Sequence, residues 1–112
     1  MKLPGGADAI VDIAKLRDYC LSPVHPRGPA SGPGFAAVLG LTQADADFLG
    51  EELPIAARQG DAVEGEADEY GVRYTLDLEL MGKQGRAKVR SRWIVLRNEQ
   101  FPRLTTCYVL LD

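Results

Sequence analysis

The chain has 112 residues and a mass of 12.2 kDa, which is enough for one domain with one hydrophobic core. Its apolar content of 46% and charged content of 26% are typical of globular proteins and argue against intrinsic disorder. The net charge of -3 argues against broad nucleic-acid binding but is compatible with a local basic patch. We therefore predict a single domain over residues 1–112, with a helical half at 12–60 and a sheet half at 61–112.

The two cysteines, Cys20 and Cys107, lack the short spacing that zinc ligands have. Both lie among apolar residues, so we expect them to be reduced and buried, where they contribute packing rather than chemistry. No apolar run is long enough to cross a membrane, and Pro4 with two following glycines interrupts the first residues. These features predict a cytoplasmic protein with no membrane partner, and we expect neither a metal nor a cofactor.

The helical half begins with a pattern of period 3.6 after Asp12, a plausible N-cap, and this helix ends before Pro23. Its apolar face consists of Ile13, Leu16 and Cys20. Residues 22–34 contain four prolines and three glycines, which is typical of a loop with few conformations. A short second helix follows and ends at Gly40, in the C′ position. Its apolar residues are Phe35, Val38 and Leu39.

The third helix carries the strongest helical pattern. Thr42 and Asp45 form a capping-box pair at its start, and Gly60 marks its end. Pro54 lies inside the pattern, so we expect it to kink the helix or to end it near Glu52. The predicted buried stripe contains Phe48, Leu49, Leu53, Ala56 and Ala57.

The second half alternates with period two, which predicts strands, and the turn 82–85 predicts a hairpin. With the hairpin centred on this turn, apolar residues meet apolar ones and acidic residues meet basic ones. The apolar pairs are Leu80–Ala87, Leu78–Val89 and Tyr74–Trp93, and the charged pairs are Glu79–Lys88 and Asp77–Arg90.

Two further strands complete the predicted sheet. Residues 104–111 are apolar on both faces, which indicates a covered or central strand. Residues 61–69 fit a weaker, more polar strand. The predicted fold is α+β, with two or three N-terminal helices packed on a C-terminal antiparallel sheet of three to four strands.

The only histidine of the chain, His25, lies in the segment His25-Pro26-Arg27-Gly28. An imidazole that titrates near neutral pH can transfer protons, and Arg27 beside it can hold a phosphate or an oxyanion. A loop histidine that packs on a proline is the alternative. That alternative is favoured by the residues alone, since no nucleophile or partner base lies nearby.

A basic stripe on one face of the second hairpin strand is a candidate phosphate-binding surface. Its members are Arg86, Lys88, Arg90 and Arg92. Asp77 and Glu79 are predicted to neutralise two of them, whereas Arg92 lies opposite Thr75 and is the better functional candidate. Thr105, Thr106 and Tyr108 can present hydroxyl groups to a ligand, although both residue types are also ordinary strand formers. The acidic run at 64–70 is more typical of a solvated strand edge or loop than of a general base or a cation site.

The motifs taken together resemble a family of small uncharacterised bacterial domains. In the first half the matching residues are Lys15, Leu16, Tyr19, Leu21, His25-Pro26-Arg27-Gly28, Phe35 and Leu39-Gly40. In the second half they are Gly71, Arg73-Tyr74, Gly82, Gly85, Val89-Arg90, Trp93-Ile94-Val95, Pro102-Arg103-Leu104, Thr106 and Tyr108. Members of this family occur as short free-standing proteins and as C-terminal modules of toxin-like proteins. The layout is similar to the fold of barnase-like, colicin-type and RelE-type ribonucleases, a likeness that does not fix function.

The resemblance implies a toxin-like, metal-independent ribonuclease module of a bacterial toxin–antitoxin or polymorphic-toxin system. Its catalytic residues would be His25, Arg27 and Arg92, and its substrate-binding residues would be Arg90, Thr106 and Tyr108. RNA and an antitoxin-like or immunity-like protein are the implied partners. Ser31 stands where the family tends to carry a lysine, so this chain is either an active or a degenerate member. The alternative is a non-catalytic interaction domain that binds a protein through its Pro-rich loop and a sheet edge.

Overall fold

The helices come first along the chain and the strands second, as the change of periodicity predicts. The computed structural model describes residues 1–24 and 32–111. In these ranges a 3-10 turn, Gly6–Asp8, and three helices precede a four-stranded antiparallel sheet. The predicted α+β class is therefore confirmed. None of the described helices has the length and apolar character needed to cross a membrane.

Each of the three helices consists of two adjoining segments. Helix α1 comprises Ile13–Lys15 and a wider π-helical segment, Leu16–Cys20. Helix α2 comprises Gly32–Gly34 and a π-helical segment, Phe35–Leu39. Helix α3 comprises a 3-10 turn, Gln43–Asp45, and the long segment Ala46–Gln59. The Asp12 carboxylate caps α1 by accepting a 2.9 Å hydrogen bond from the Ala14 N–H. Gly40 ends α2 with a φ of 68°, a left-handed conformation that glycine adopts without steric cost.

The third helix confirms the predicted cap and contradicts one of the two outcomes predicted for Pro54, an end near Glu52. The Thr42 N–H donates a 2.9 Å hydrogen bond to the Asp45 carboxylate at the helix start. The helix then continues through Pro54 to Gln59 instead of ending near Glu52. Leu53, Ala56 and Ala57 pack against the core on both sides of Pro54, and this burial offsets the hydrogen bond that proline cannot donate.

The sheet has the strand order β1-β2-β3-β4, and each neighbouring pair is antiparallel. The strands are β1 Ala62–Ala67, β2 Gly71–Met81, β3 Arg86–Leu96 and β4 Pro102–Val109. The more polar strand predicted within 61–69 is thus present as an edge strand. The last strand starts and ends two residues earlier than the predicted 104–111.

The predicted hairpin register is confirmed at every pair, including Tyr74 opposite Trp93 and Asp77 opposite Arg90. One charge contact differs from the prediction. Glu79 lies opposite Lys88, but its carboxylate pairs at 3.9 Å with Arg86, its diagonal neighbour on β3. Long side chains on a sheet reach diagonal neighbours as easily as direct ones, so the register alone did not decide this contact.

The hydrophobic core lies between the helices and one face of the sheet, which we call the inner face. The helices contribute Leu16, Cys20, Phe35, Leu39, Leu49 and Leu53, and the sheet contributes Leu76, Leu80, Val89, Trp93, Leu104 and Cys107. The opposite face, which we call the outer face, carries the charged residues of the hairpin and is half-buried or exposed. The candidate site therefore has to be sought on the outer face.

Candidate functional site

Arg90 is bound to Asp77 across the hairpin. Its guanidinium donates two parallel hydrogen bonds to the Asp77 carboxylate, at 2.9 and 3.0 Å. These bonds hold the pKa of Asp77 below its ordinary value and raise that of Arg90 further. Tyr108 lies opposite Arg90 on β4 and is half-buried. Arg90 is therefore largely neutralised, and it is a weaker candidate for substrate binding than the sequence indicated.

Arg92 differs from Arg90 in its surroundings. It is exposed, and it lies on the outer face between Thr75 of β2 and Thr106 of β4. Among the described residues no side chain forms a hydrogen bond or an ion pair with its guanidinium. Five N–H donors of a permanently charged group are thus available to a ligand.

A β-bulge places Thr105 beside Arg92. The pairing of β3 with β4 shifts between Arg92 and Trp93, so that Thr105 has no partner of its own on β3. Its hydroxyl donates a 3.0 Å hydrogen bond to the Arg92 carbonyl. From the sequence, Thr105 is one of three residues that can present a hydroxyl, but it is not among the predicted substrate-binding residues. A signal for the bulge is the spacing of Leu104 and Cys107, two core-type residues that are separated by two positions where strict alternation requires one.

A groove of about 490 Å³ lies over this part of the sheet. It is lined by Gly65, Glu66, Arg73, Tyr74, Thr75, Arg92, Trp93 and Thr105. Arg73 forms an ion pair with Asp68, whose carboxylate also accepts a 2.9 Å hydrogen bond from the Tyr70 N–H. That backbone hydrogen bond, together with Arg73, lowers the pKa of Asp68. Within the part of the chain that the structure describes, Arg92 is therefore the one cation of the groove without a carboxylate partner.

The remaining predicted site residues do not converge on this groove. Thr106 lies next to Arg92 in the sheet but does not line the groove. Tyr108 lies beside the Arg90–Asp77 pair. His25 and Arg27, the two predicted catalytic residues of the loop, fall outside the described residues.

The groove has the chemistry of a weak anion site. A guanidinium flanked by two threonine hydroxyls can bind the oxygens of a phosphate through several hydrogen bonds. Glu66 also lines the groove, and its charge disfavours anions close to it. In residues 1–24 and 32–111, no cluster of histidine, cysteine and carboxylate side chains fits a metal ion.

One family model covers almost the whole chain. The chain belongs to the family described as Domain of unknown function (DUF6883), whose model matches residues 2–111. No curated protein and no solved structure matches the chain. The match spans both the loop that contains His25 and the strands that form the groove, so both are parts of one DUF6883 domain.

Proposed function

We propose that this DUF6883 domain is a toxin-type ribonuclease module that holds the phosphate backbone of RNA in the outer-face groove. The observation that carries the proposal is the exposed Arg92 guanidinium, unpaired among the described residues and flanked by two threonines. A single-stranded backbone presents phosphates to such a group without base-specific contacts.

The other arginines near the groove are paired with carboxylates, and this difference supports Arg92 as the phosphate-binding residue. Arg90 is bound to Asp77, Arg73 to Asp68, and Arg103 to Glu99 through two hydrogen bonds of 2.8 Å. Each of these guanidiniums already gives donors to a carboxylate, and that carboxylate would repel an approaching phosphate. Arg92 has no such competitor among the described residues.

In this proposal His25 is the general acid/base and Arg27 stabilises the charge that develops on the phosphate. The residues on the two sides of their loop lie close together, and one of them lies next to the end of β4. Gly32 packs so closely on Ser22 that a Cβ at position 32 would lie 2.0 Å from the Ser22 carbonyl oxygen. Gly34 lies next to Val109 of β4.

Cleavage of a fluorescent single-stranded RNA in the presence of EDTA tests the proposal. We expect cleavage by the wild-type protein, and His25→Ala should lower the rate by roughly two orders of magnitude. Arg92→Ala should lower it by about 10- to 100-fold because a charged hydrogen-bond donor is lost from the phosphate. The matched control is Arg86→Ala, on the same strand and face but about 20 Å away, which should change the rate little.

The same assay separates an active domain from a degenerate one. Binding of RNA that depends on Arg92, without cleavage, would identify the chain as a degenerate ribonuclease, in keeping with Ser31 at the family's lysine position. If the protein neither binds nor cleaves RNA, the proposal is wrong.

The second candidate is a protein-interaction domain, and the edge of the sheet favours it. Strand β1 is an edge of the sheet, and on the edge that faces away from β2 its Ala62 forms backbone hydrogen bonds with Met1. After Ala62, no strand among the described residues pairs with this edge. Val63 on this strand is 69% exposed. Such an edge can accept a strand from a partner, such as an antitoxin-like protein. Slower hydrogen exchange of the β1 amides when that protein is added would support this role.

A further inference from the structure

Thr105, the residue at the β-bulge, contacts Arg92 through its side chain and Lys15 through its backbone. Its hydroxyl donates a 3.0 Å hydrogen bond to the Arg92 carbonyl, and its own carbonyl accepts a 3.5 Å hydrogen bond from the Lys15 Nζ. Lys15 belongs to α1 and is 90 residues away from Thr105 in the sequence. The fold therefore brings a lysine of the helical half to the β4 side of the groove.

The Lys15 ammonium is free to bind a ligand. The side chain is exposed, and its 3.5 Å hydrogen bond is at the long end of such bonds, so two further N–H donors and a weak contact remain for exchange. The acidic residues three positions before and after it are engaged elsewhere: Asp12 caps the helix, and Asp18 forms an ion pair with Arg17. In the part of the chain that the structure describes, no carboxylate pairs with Lys15.

The groove runs across the strands rather than along them. Strand β1 contributes Gly65 and Glu66, β2 contributes residues 73–75, β3 contributes Arg92 and Trp93, and β4 contributes Thr105. Three strand spacings make the groove about 14 Å wide across the sheet, against about 7 Å along any one strand. Glu66 is on β1, the edge opposite β4, and its charge disfavours a phosphate near it. A second phosphate of a strand bound at Arg92 is therefore favoured on the β4 side, where Lys15 lies.

We propose that Lys15 binds the phosphate adjacent to the one held by Arg92, so that the RNA strand passes over β4 towards α1. This inference rests on the proposed function of the groove and adds a second phosphate-binding residue to it, from a different half of the fold. An ammonium acts on a phosphate as a point charge and reads no base. The contribution of Lys15 to binding should therefore not depend on the RNA sequence.

The salt dependence of RNA binding tests this contact, because its slope counts phosphate contacts. The probe is fluorescein-labelled 2′-O-methyl hexauridylate, which has no free 2′-hydroxyl to attack its own phosphates and so stays intact during anisotropy measurements. Lys15→Gln should reduce the slope of log K against log salt by about 0.7, and Lys15→Arg should keep the wild-type slope. The affinity of Lys15→Gln should fall by the same factor for 2′-O-methyl hexaadenylate.

Lys2→Gln is the matched control and should keep the wild-type slope. Lys2 is exposed and its Nζ also donates to a backbone carbonyl, that of Gln59, but it lies beside β1 at the opposite edge of the sheet. Weaker binding of Lys15→Gln with an unchanged slope would mean that Lys15 only positions Thr105, and the proposal would be wrong. A slope that falls in Arg92→Ala but not in Lys15→Gln would overturn the Lys15 contact and leave the function of the groove intact. Absence of binding by the wild-type protein would refute both.

Acylation of the wild-type protein provides a test that needs no variant. N-hydroxysuccinimidyl acetate modifies exposed lysines, and peptide mass mapping gives the rate at each one. Bound 2′-O-methyl hexauridylate should slow the acylation of Lys15 and leave that of Lys2 unchanged. An equal rate at Lys15 with and without the RNA would contradict the proposal.

Discussion

The Trp93 indole N–H donates a 2.9 Å hydrogen bond to the hydroxyl of Ser91, two residues earlier on the same strand. The Ser91 hydroxyl in turn donates a 2.6 Å hydrogen bond to the Leu76 carbonyl on β2. Both side chains are buried, so this short chain of bonds satisfies polar groups that water does not reach. It fixes the largest side chain of the core on the inner face.

Ser91→Ala should lower the free energy of unfolding by about 1–3 kcal/mol because the indole N–H is left buried without an acceptor. Urea denaturation of both proteins measures the difference. In a Trp93→Phe background, Ser91→Ala should lower the free energy of unfolding by clearly less, because no indole N–H is left without an acceptor. Equal costs in the two backgrounds would show that the hydrogen bond between Trp93 and Ser91 contributes nothing.

The hairpin turn offers a matched pair of glycine substitutions. A Cβ at Gly82 would lie 2.3 Å from the Leu39 carbonyl oxygen, whereas a Cβ at Gly85 would come no closer than 3.5 Å to the Val38 carbonyl oxygen. Gly82→Ala should therefore destabilise the protein by roughly 1–3 kcal/mol, because the turn has to move away from the end of α2. Gly85→Ala should leave stability within about 1 kcal/mol of the wild type. Thermal denaturation of both variants checks this contrast.

The Asp77–Arg90 pair should make stability depend on pH in a defined direction. The folded protein lowers the pKa of Asp77, chiefly through the hydrogen bonds from Arg90. The stabilisation is therefore complete above the pKa of an unfolded aspartate, near 4, and is lost as the pH falls through the lower folded value. The stability difference between wild type and Asp77→Asn should be largest near neutral pH and should shrink below pH ~4.

Glu79→Gln is the control for that measurement. Glu79 lies on the same strand and face as Asp77, but its contact with Arg86 is 3.9 Å long and both side chains are 64% exposed. We expect little stability difference from wild type at any pH, since solvent screens such pairs. A larger effect for Glu79→Gln than for Asp77→Asn would contradict our ranking of the two ion pairs.

Salt should report whether Arg92 contacts a phosphate. For single-stranded nucleic acid the logarithm of the binding constant falls with the logarithm of salt concentration, by roughly 0.7 for each phosphate contact. Arg92→Ala should therefore reduce the slope by about that amount in fluorescence anisotropy with single-stranded RNA. Arg86→Ala serves as the control and should keep the wild-type slope. An unchanged slope for Arg92→Ala would place the phosphate contacts elsewhere.

The sequence predicted most of the fold because the relevant signals are local. The period of the apolar residues changes once, near residue 61, and separates helices from strands. The hairpin register followed from alternation and opposite charges, and all of its pairs are present. The error at Pro54 has a different origin: proline disfavours a helix locally, and burial of the following turn on the core outweighed that preference.

The candidate site could be predicted only in part. Arg92 was chosen from the sequence because the register left it opposite Thr75 rather than a carboxylate, and the groove around it agrees with that choice. In the sequence Thr105 is only one of three residues with an available hydroxyl, and Thr106 is the threonine predicted to bind substrate; the bulge in β4 places Thr105 on the groove instead. A bulge depends on how two strands fit over a particular core.

Composition and periodicity thus determine the fold class, the order of the elements and the pairing of β2 with β3, because each depends on residues close in sequence. The place of Thr105 beside Arg92 depends instead on how β4 fits on β3. Neighbours of this kind arise only when distant segments bury their apolar faces together, and no local pattern in the chain encodes them.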